Sequence, residues 1–202
     1  GDDAPDCLQH ARAIGGDVRV VYSPIEALKL ARENPDRQVV FLSVGFETTT
    51  PGIAAAVLRA EAEGIDNFSV LCANKTVPEA MNALASADDL ALSGFLCPGH
   101  ASIIIGPEVY EPLVTDHGLP CAIAGFETAE TLRALASLVR QSAAHAPEVD
   151  NCYPIAVRPG GNAKARELMY RVFEPQDSEW RGLGVIAMSG LGVREEYARF
   201  DA

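Results

Sequence analysis

A chain of 202 residues with 48% hydrophobic residues can bury a substantial core, which argues against intrinsic disorder. Sixteen Lys and Arg against 28 Asp and Glu give a formal net charge of -12, so neither nucleic acid nor an anionic membrane surface is expected as a partner. No apolar run approaches the roughly 20 residues of a spanning helix, and the opening Gly1-Asp2-Asp3 lacks the basic-then-apolar pattern of a signal peptide, which points to a cytoplasmic protein.

In chain order, the hydrophobic pattern predicts a strand at 18–22, a helix at 24–34, a strand at 38–44 and a helix at 51–64. A strand at 68–72, a helix at 77–87, a strand at 93–97 and a helix at 107–116 follow. The last part reads as strand 120–124, helix 128–144, strand 153–157, helix 162–173 and strand 184–188. Three helices carry apolar stripes at helical spacing, expected to pack on the sheet: Ile53, Ala56, Val57 and Ala60; Leu132, Leu135, Ala136 and Val139; and Ala165, Leu168, Met169 and Val172. Pro24, Pro51 and Pro78 suit helix starts, with Thr50 as a candidate N-cap. Such alternation is that of a doubly wound α/β fold, with mainly parallel sheets and helices on both faces.

Gly45-Phe46-Glu47-Thr48 returns 80 positions later as Gly125-Phe126-Glu127-Thr128, each time between an apolar strand and an amphipathic helix. Two similar α/β halves are therefore expected, 1–92 and 93–202, with the C-terminal segment returning to the first half. Two βα turns of one sheet that converge on the same turn residues are the plainer alternative. The five cysteines at 7, 72, 97, 121 and 152 are odd in number and widely spaced, which reads as reduced thiols and not a disulfide framework. With no initiator Met and an abrupt stop at Phe200-Asp201-Ala202, the sequence reads as part of something longer.

Two stretches can carry chemistry. Gly45-Phe46-Glu47-Thr48-Thr49-Thr50-Pro51 puts a carboxylate and three hydroxyls where a strand ends and a helix begins, the place where open α/β sheets hold ligands; a helix cap is the plainer alternative. Cys97-Pro98-Gly99-His100-Ala101-Ser102 brings a thiol and an imidazole close enough to share a metal or a proton. The alternative there is a core-facing Cys with a His capping a turn, and four zinc ligands are not in sight. Gly182-Leu183-Gly184 precedes its apolar run, so it is not a dinucleotide loop. Beside it the single Trp, Trp180, adjoins Arg181 and is expected to stack on that guanidinium.

Taken together these stretches resemble the HypD family of nickel–iron hydrogenase maturation proteins. The resemblance rests on Val20-Val21-Tyr22-Ser23-Pro24 with Ala27-Leu28-Lys29-Leu30-Ala31, on Gly45-Phe46-Glu47-Thr48-Thr49, on Pro98-Gly99-His100 with Ser102, and on Ala124-Gly125-Phe126-Glu127. It continues through Gly161-Asn162, Ser178-Glu179-Trp180-Arg181-Gly182-Leu183-Gly184, Tyr197 and Phe200-Asp201-Ala202. Missing from the 202 residues are the upstream Cys-Gly-Gly/Thr-His and Gly-Pro-Gly-Cys-Pro-Val-Cys stretches and the downstream cluster cysteines of such proteins. The second copy reads Gly-Phe-Glu-Thr-Ala-Glu where Gly-Phe-Glu-Pro-x-Asp is more usual.

The resemblance implies an assembly scaffold more than a turnover enzyme. With a HypC-like chaperone it would hold iron while cyanide, supplied through HypE and HypF, and carbon monoxide are added. It implies Glu47, Thr48, Thr49, His100 and Ser102 as the working residues in a cleft between the halves, with Cys97 and Glu127 beside the cofactor. The iron-binding Cys and an iron–sulfur cluster would lie outside this chain, so no metal or cofactor is expected within it. A small-molecule hydrolase or transferase using His100 as base and Cys97 or a threonine as nucleophile is a second reading, and a pure docking module a third.

Overall fold

The computed structural model describes residues 7–87 and 91–202; the opening Gly1-Asp2-Asp3 lies outside them. Helix α1 (Leu8–Ala13) precedes α2 (Pro24–Glu33), β1 (Val39–Gly45), α3 (Thr50–Glu63), β2 (Phe68–Asn74) and α4 (Val77–Ala85). The chain continues through β3 (Phe95–Pro98), α5 (Gly99–Ile105), a 3-10 turn (Glu108–Tyr110) and α6 (Glu111–Thr115). It ends with β4 (Cys121–Ala124), α7 (Thr128–Ala144), β5 (Val149–Asn151), α8 (Ala163–Val172), β6 (Phe173–Trp180), β7 (Gly184–Val193) and a 3-10 turn at Glu195–Phe200.

The architecture is α/β, as expected. Strands β1 and β2 pair in parallel from Val39↔Phe68 to Gly45↔Asn74, and β3, β4 and β5 form a second parallel sheet in that order. Strand β6 was not expected and pairs antiparallel with β7. Single bridges tie this ribbon and the C-terminus to β2, Lys75↔Gly190 and Val70↔Asp201.

Local chemistry explains the element starts. Ser23 caps α2 by accepting from the Glu26 N–H, while the Glu26 carboxylate accepts from the Tyr22 N–H at 2.8 Å; Pro24 fills the first turn, where no N–H is needed. Thr50 is not the N-cap of α3: the helix begins at Thr50, the cap position is Thr49, and neither hydroxyl caps it. The expected strand 18–22 does not form, because those residues find no strand partner. The expected strand 153–157 is a turn, and the ladder uses Val149–Asn151 instead. Helix 107–116 is broken into a 3-10 turn and α6.

One core joins α2, α3, β2, α8, β7 and the last 3-10 turn, through Leu28, Val57, Phe68, Met169, Leu191 and Phe200. A second gathers Met81, Cys97, Ile105, Tyr110, Cys121 and Ile123. The stripe Ile53, Ala56, Val57 and Ala60 is buried as expected. The stripe on α7 is not: Leu132, Leu135 and Val139 are exposed, and the helix turns Ala134, Ser137 and Gln141 onto β4 and β5 instead. Polar bonding fixes this face, since Gln141 Oε1 accepts from the Glu148 N–H at 2.9 Å and Ser137 Oγ donates to Asp150 at the sheet edge.

Candidate functional site

The first Gly-Phe-Glu-Thr turn ends β1, with Gly45 at φ +150°; a Cβ there would lie 2.2 Å from Thr49 Oγ1, so only glycine lets the turn close. Closing it places the Thr49 and Thr50 hydroxyls on the Phe46 carbonyl, at 3.1 and 2.9 Å. Asn74, the register partner of Gly45 at the end of β2, donates to Thr50 Oγ1 at 3.2 Å and accepts from Ser43 Oγ. Thr48 and Thr49 remain exposed, while Ser43, Thr50 and Asn74 form a buried polar brace behind them.

Glu47 is 1% exposed. Its Oε1 accepts the Val77 N–H at 2.9 Å, tying the end of β1 to the first turn of α4, while Oε2 has no hydrogen-bond partner. Burial pushes the carboxyl above its ordinary range, its own backbone N–H and that of Val77 pull the other way, and nearby Glu79 adds to the rise. The second copy behaves oppositely. Glu127 is exposed at the N-cap of α7, where its own N–H donates to Glu130 Oε2 at 3.4 Å. Identical letters thus give one buried acid facing a cleft and one solvated helix cap.

Cys97 and His100 part company at the end of β3. A Cβ on Gly99 would meet the Ala124 carbonyl oxygen at 2.2 Å, so glycine lets the start of α5 press against the neighbouring strand. Helix α5, read from sequence only as a turn, then carries His100 outward. The imidazole meets the ring of Phe126 edge-on, with centroids 4.5 Å apart. Cys97 faces the core, 1% exposed, in the same cluster as Cys121 on β4; the neighbouring thiol and burial raise Cys97, while the Cys97 thiol lowers Cys121 against the effect of its own burial. The geometry therefore makes no thiol–imidazole dyad of Cys97 and His100. Ser102 is fully buried, donating to the Pro98 carbonyl at 2.8 Å and sharing a 3.0 Å bond with the Tyr110 hydroxyl.

A cleft of about 430 Å³ opens at Glu47, lined also by Thr76, Glu79, Asn82, Arg166 and Tyr170 with Ile105, Val109, Pro175 and Met188. His100 is not among its lining residues; its helix reaches the cleft through Ile105, about 7.5 Å further along the axis. Sequence reading missed Asn74, Thr76, Asn82, Arg166 and Tyr170. For Asn74 a signal existed, a polar residue at the carboxyl end of the strand beside β1, where such sheets gather ligands. Trp180 stacks under the Lys75 ammonium, 4.9 Å from the ring centroid, and beside Phe46, not under Arg181.

A resident iron–sulfur cluster needs several converging thiolates. Among the described residues no three His, Cys, Asp or Glu side chains converge to hold a metal ion. Cys97 and Cys121 are packed in the hydrophobic core, so these residues do not fit such a cluster. No helix among the described residues is long and apolar enough to cross a membrane.

Comparison with known proteins places the chain. Its residues 3–202 match the HypD family model, described as the hydrogenase formation hypA family. It is 49% identical over 201 residues to the hydrogenase maturation factor HypD of Azotobacter vinelandii, covering 96% of this chain and 53% of that protein. Over 196 residues it is 44% identical to the factor of the same name from Rhodobacter capsulatus and 43% to that of Escherichia coli, covering 96% of this chain and 52% of each relative. The chain spans about half the length of these curated relatives. With the Gly45–Thr49 and Pro98–His100 turns at the ends of parallel strands and a family match over nearly every residue, this chain belongs to the HypD family.

Proposed function

We propose that this chain works as part of a hydrogenase maturation factor, as a scaffold on which an iron unit is built. The observation that carries this reading is the family match over residues 3–202. In the whole protein, iron is the cargo: with a HypC-like chaperone it is held while cyanide, delivered through HypE and HypF, and carbon monoxide are attached, in the cytoplasm. The thiolate that holds the iron and the iron–sulfur cluster belong to other parts of the whole protein.

On this reading the exposed Thr48 hydroxyl and the exposed His100 ring offer hydrogen bonds to cyanide nitrogens, which accept them well, and the exposed Thr49 hydroxyl does so by turning from the Phe46 carbonyl to which it donates. Glu47 fixes the first turn against α4, and Ser102 braces α5. Glu127 and Cys97 act as supports, which their positions as a helix cap and a packed thiol favour. We assign two α/β halves, 1–92 and 93–202, with the C-terminal segment returning to the first; the core shared by Phe68, Met169, Leu191 and Phe200 supports that return.

The test is complementation. A whole HypD protein carrying this chain's sequence is expressed in a host lacking its own, with His100→Ala or Thr49→Val. Both variants are expected to fold and to impair hydrogenase maturation, with retained binding of the HypC-like chaperone in pull-down. Full maturation by both would overturn the assignment of these residues.

A further inference from the structure

Three buried side-chain oxygens lack any hydrogen-bond partner among the described residues: Glu47 Oε2, Thr76 Oγ1 and Asn82 Oδ1. Buried polar atoms are almost always paired, and an orphan costs about 1–3 kcal/mol. All three residues line the same cleft. They come from the end of β1, from the cap position of α4 and from the body of that helix, so no local turn geometry groups them.

A carboxyl oxygen and an amide oxygen accept hydrogen bonds, and a hydroxyl can accept one. What completes the set is a group with several N–H donors. Glu47 and Glu79 on the same wall favour positive charge on that group, whereas Arg166 lies on the wall built by α8. The remaining lining is Tyr170, with one hydroxyl, and the apolar Ile105, Val109, Pro78, Pro112, Pro175 and Met188. At about 430 Å³ the cleft falls within the size range of small-molecule sites.

From this juxtaposition we infer that the cleft is a binding site for a primary alkylammonium group, its N–H donors on Glu47, Thr76 and Asn82 and its alkyl body along the Ile105–Val109 wall. The inference goes beyond the maturation reading and does not depend on it. Thr76 and Asn82 are its selecting residues, since the other Glu47 oxygen is already committed to α4.

Isothermal titration of the full 202-residue chain tests it with three probes at matched ionic strength: n-butylammonium, n-butyltrimethylammonium and 1-butanol. n-Butylammonium is expected to bind saturably in the millimolar range, at least about tenfold more tightly than the quaternary ion, which has the same charge and no N–H. Thr76→Val and Asn82→Leu are each expected to weaken it by about tenfold, the loss of one hydrogen bond to a charged group. Equal affinity for the quaternary ion would overturn the inference, leaving only charge attraction. So would no saturable binding of n-butylammonium by the wild-type chain up to about 50 mM, a comparison that needs no variant.

Discussion

Ser102 belongs to the family-like Pro98–Ser102 stretch, yet its hydroxyl is wholly inside the protein, between the Pro98 carbonyl and the Tyr110 hydroxyl. The two ends of the Ser102–Tyr110 bond are not equivalent, which allows a sharp prediction. In Tyr110→Phe the serine keeps its 2.8 Å bond to Pro98, so the loss is one ordinary hydrogen bond, about 0.5–1.5 kcal/mol. In Ser102→Ala the Tyr110 hydroxyl, in a residue with 0% exposure, loses the one side-chain partner it has, and the cost rises to the desolvation penalty of about 1–3 kcal/mol. The double variant removes the stranded hydroxyl and should be no less stable than Ser102→Ala alone. Urea unfolding followed by the fluorescence of the single Trp measures all three. A Ser102→Ala loss smaller than that of Tyr110→Phe, or a double variant equal to the sum of the singles, would refute the reasoning. In the whole protein, Ser102→Ala should then lower stability while leaving maturation intact wherever the fold survives.

Glu47 gives a pH test. Its folded pKa lies above its ordinary 4.5, so the folded chain holds a proton that the unfolded chain releases; this stabilisation is complete below the ordinary value and is lost as pH rises through the folded one. Glu47→Gln should therefore gain stability relative to wild type as pH rises above about 4.5, and parallel pH profiles would show the carboxyl unshifted. Gly99→Ala should cost about 1–3 kcal/mol by forcing β3 and β4 apart at the Ala124 carbonyl, whereas Gly52→Ala, in helix α3 with nothing within 4 Å, should stabilise by about 0.4–1 kcal/mol; thermal melts give both signs. Iodoacetamide with peptide mapping should label the partly exposed Cys7 in the native chain, and Cys97, Cys121 and Cys152 only in urea, because burial pushes the Cys152 thiol up to about 11 and encloses the other two.

The parallel strands β1 to β4 and the helices α2, α3, α4 and α7 were legible because their apolar residues recur at strand or helix spacing and their starts carry Ser, Pro or Thr. Strand β6, Phe-Glu-Pro-Gln-Asp-Ser-Glu-Trp, was not, since it buries only Phe173 and exists by pairing with β7. Helix α5 was hidden by Pro98-Gly99, which suits a turn equally well until the contact with Ala124 is seen. The outward stripe of α7 was misread because periodicity names the apolar face, while Gln141 and Ser137 decide which face the sheet takes. At the site, Glu47 and His100 were visible as strand-end residues, but that the cleft at Glu47 is lined by Ile105 and not by His100 was not. The hydrogen-bond partner of Glu47 lies 30 positions on, at Val77, a pairing that only the fold creates.

The composition of the first core has a consequence for synthesis. Its members come from two separated stretches, Ala27 to Val70 and Met169 to Phe200, while the second core is drawn from the one uninterrupted stretch between them, Met81 to Val157. A ribosome therefore delivers every residue of the second core before it has delivered half of the elements that cover Phe68 and Val70. Until Met169, Leu191 and Phe200 emerge, the β1–β2 pair leaves the tunnel with an apolar face open to collision with other nascent chains. Long-range closure of this kind is slow, because the entropy of a loop of about a hundred residues is lost before the contact forms. The final link, Asp201 beside Val70, joins residues 131 positions apart, so the first core closes only after every residue of the second has been made.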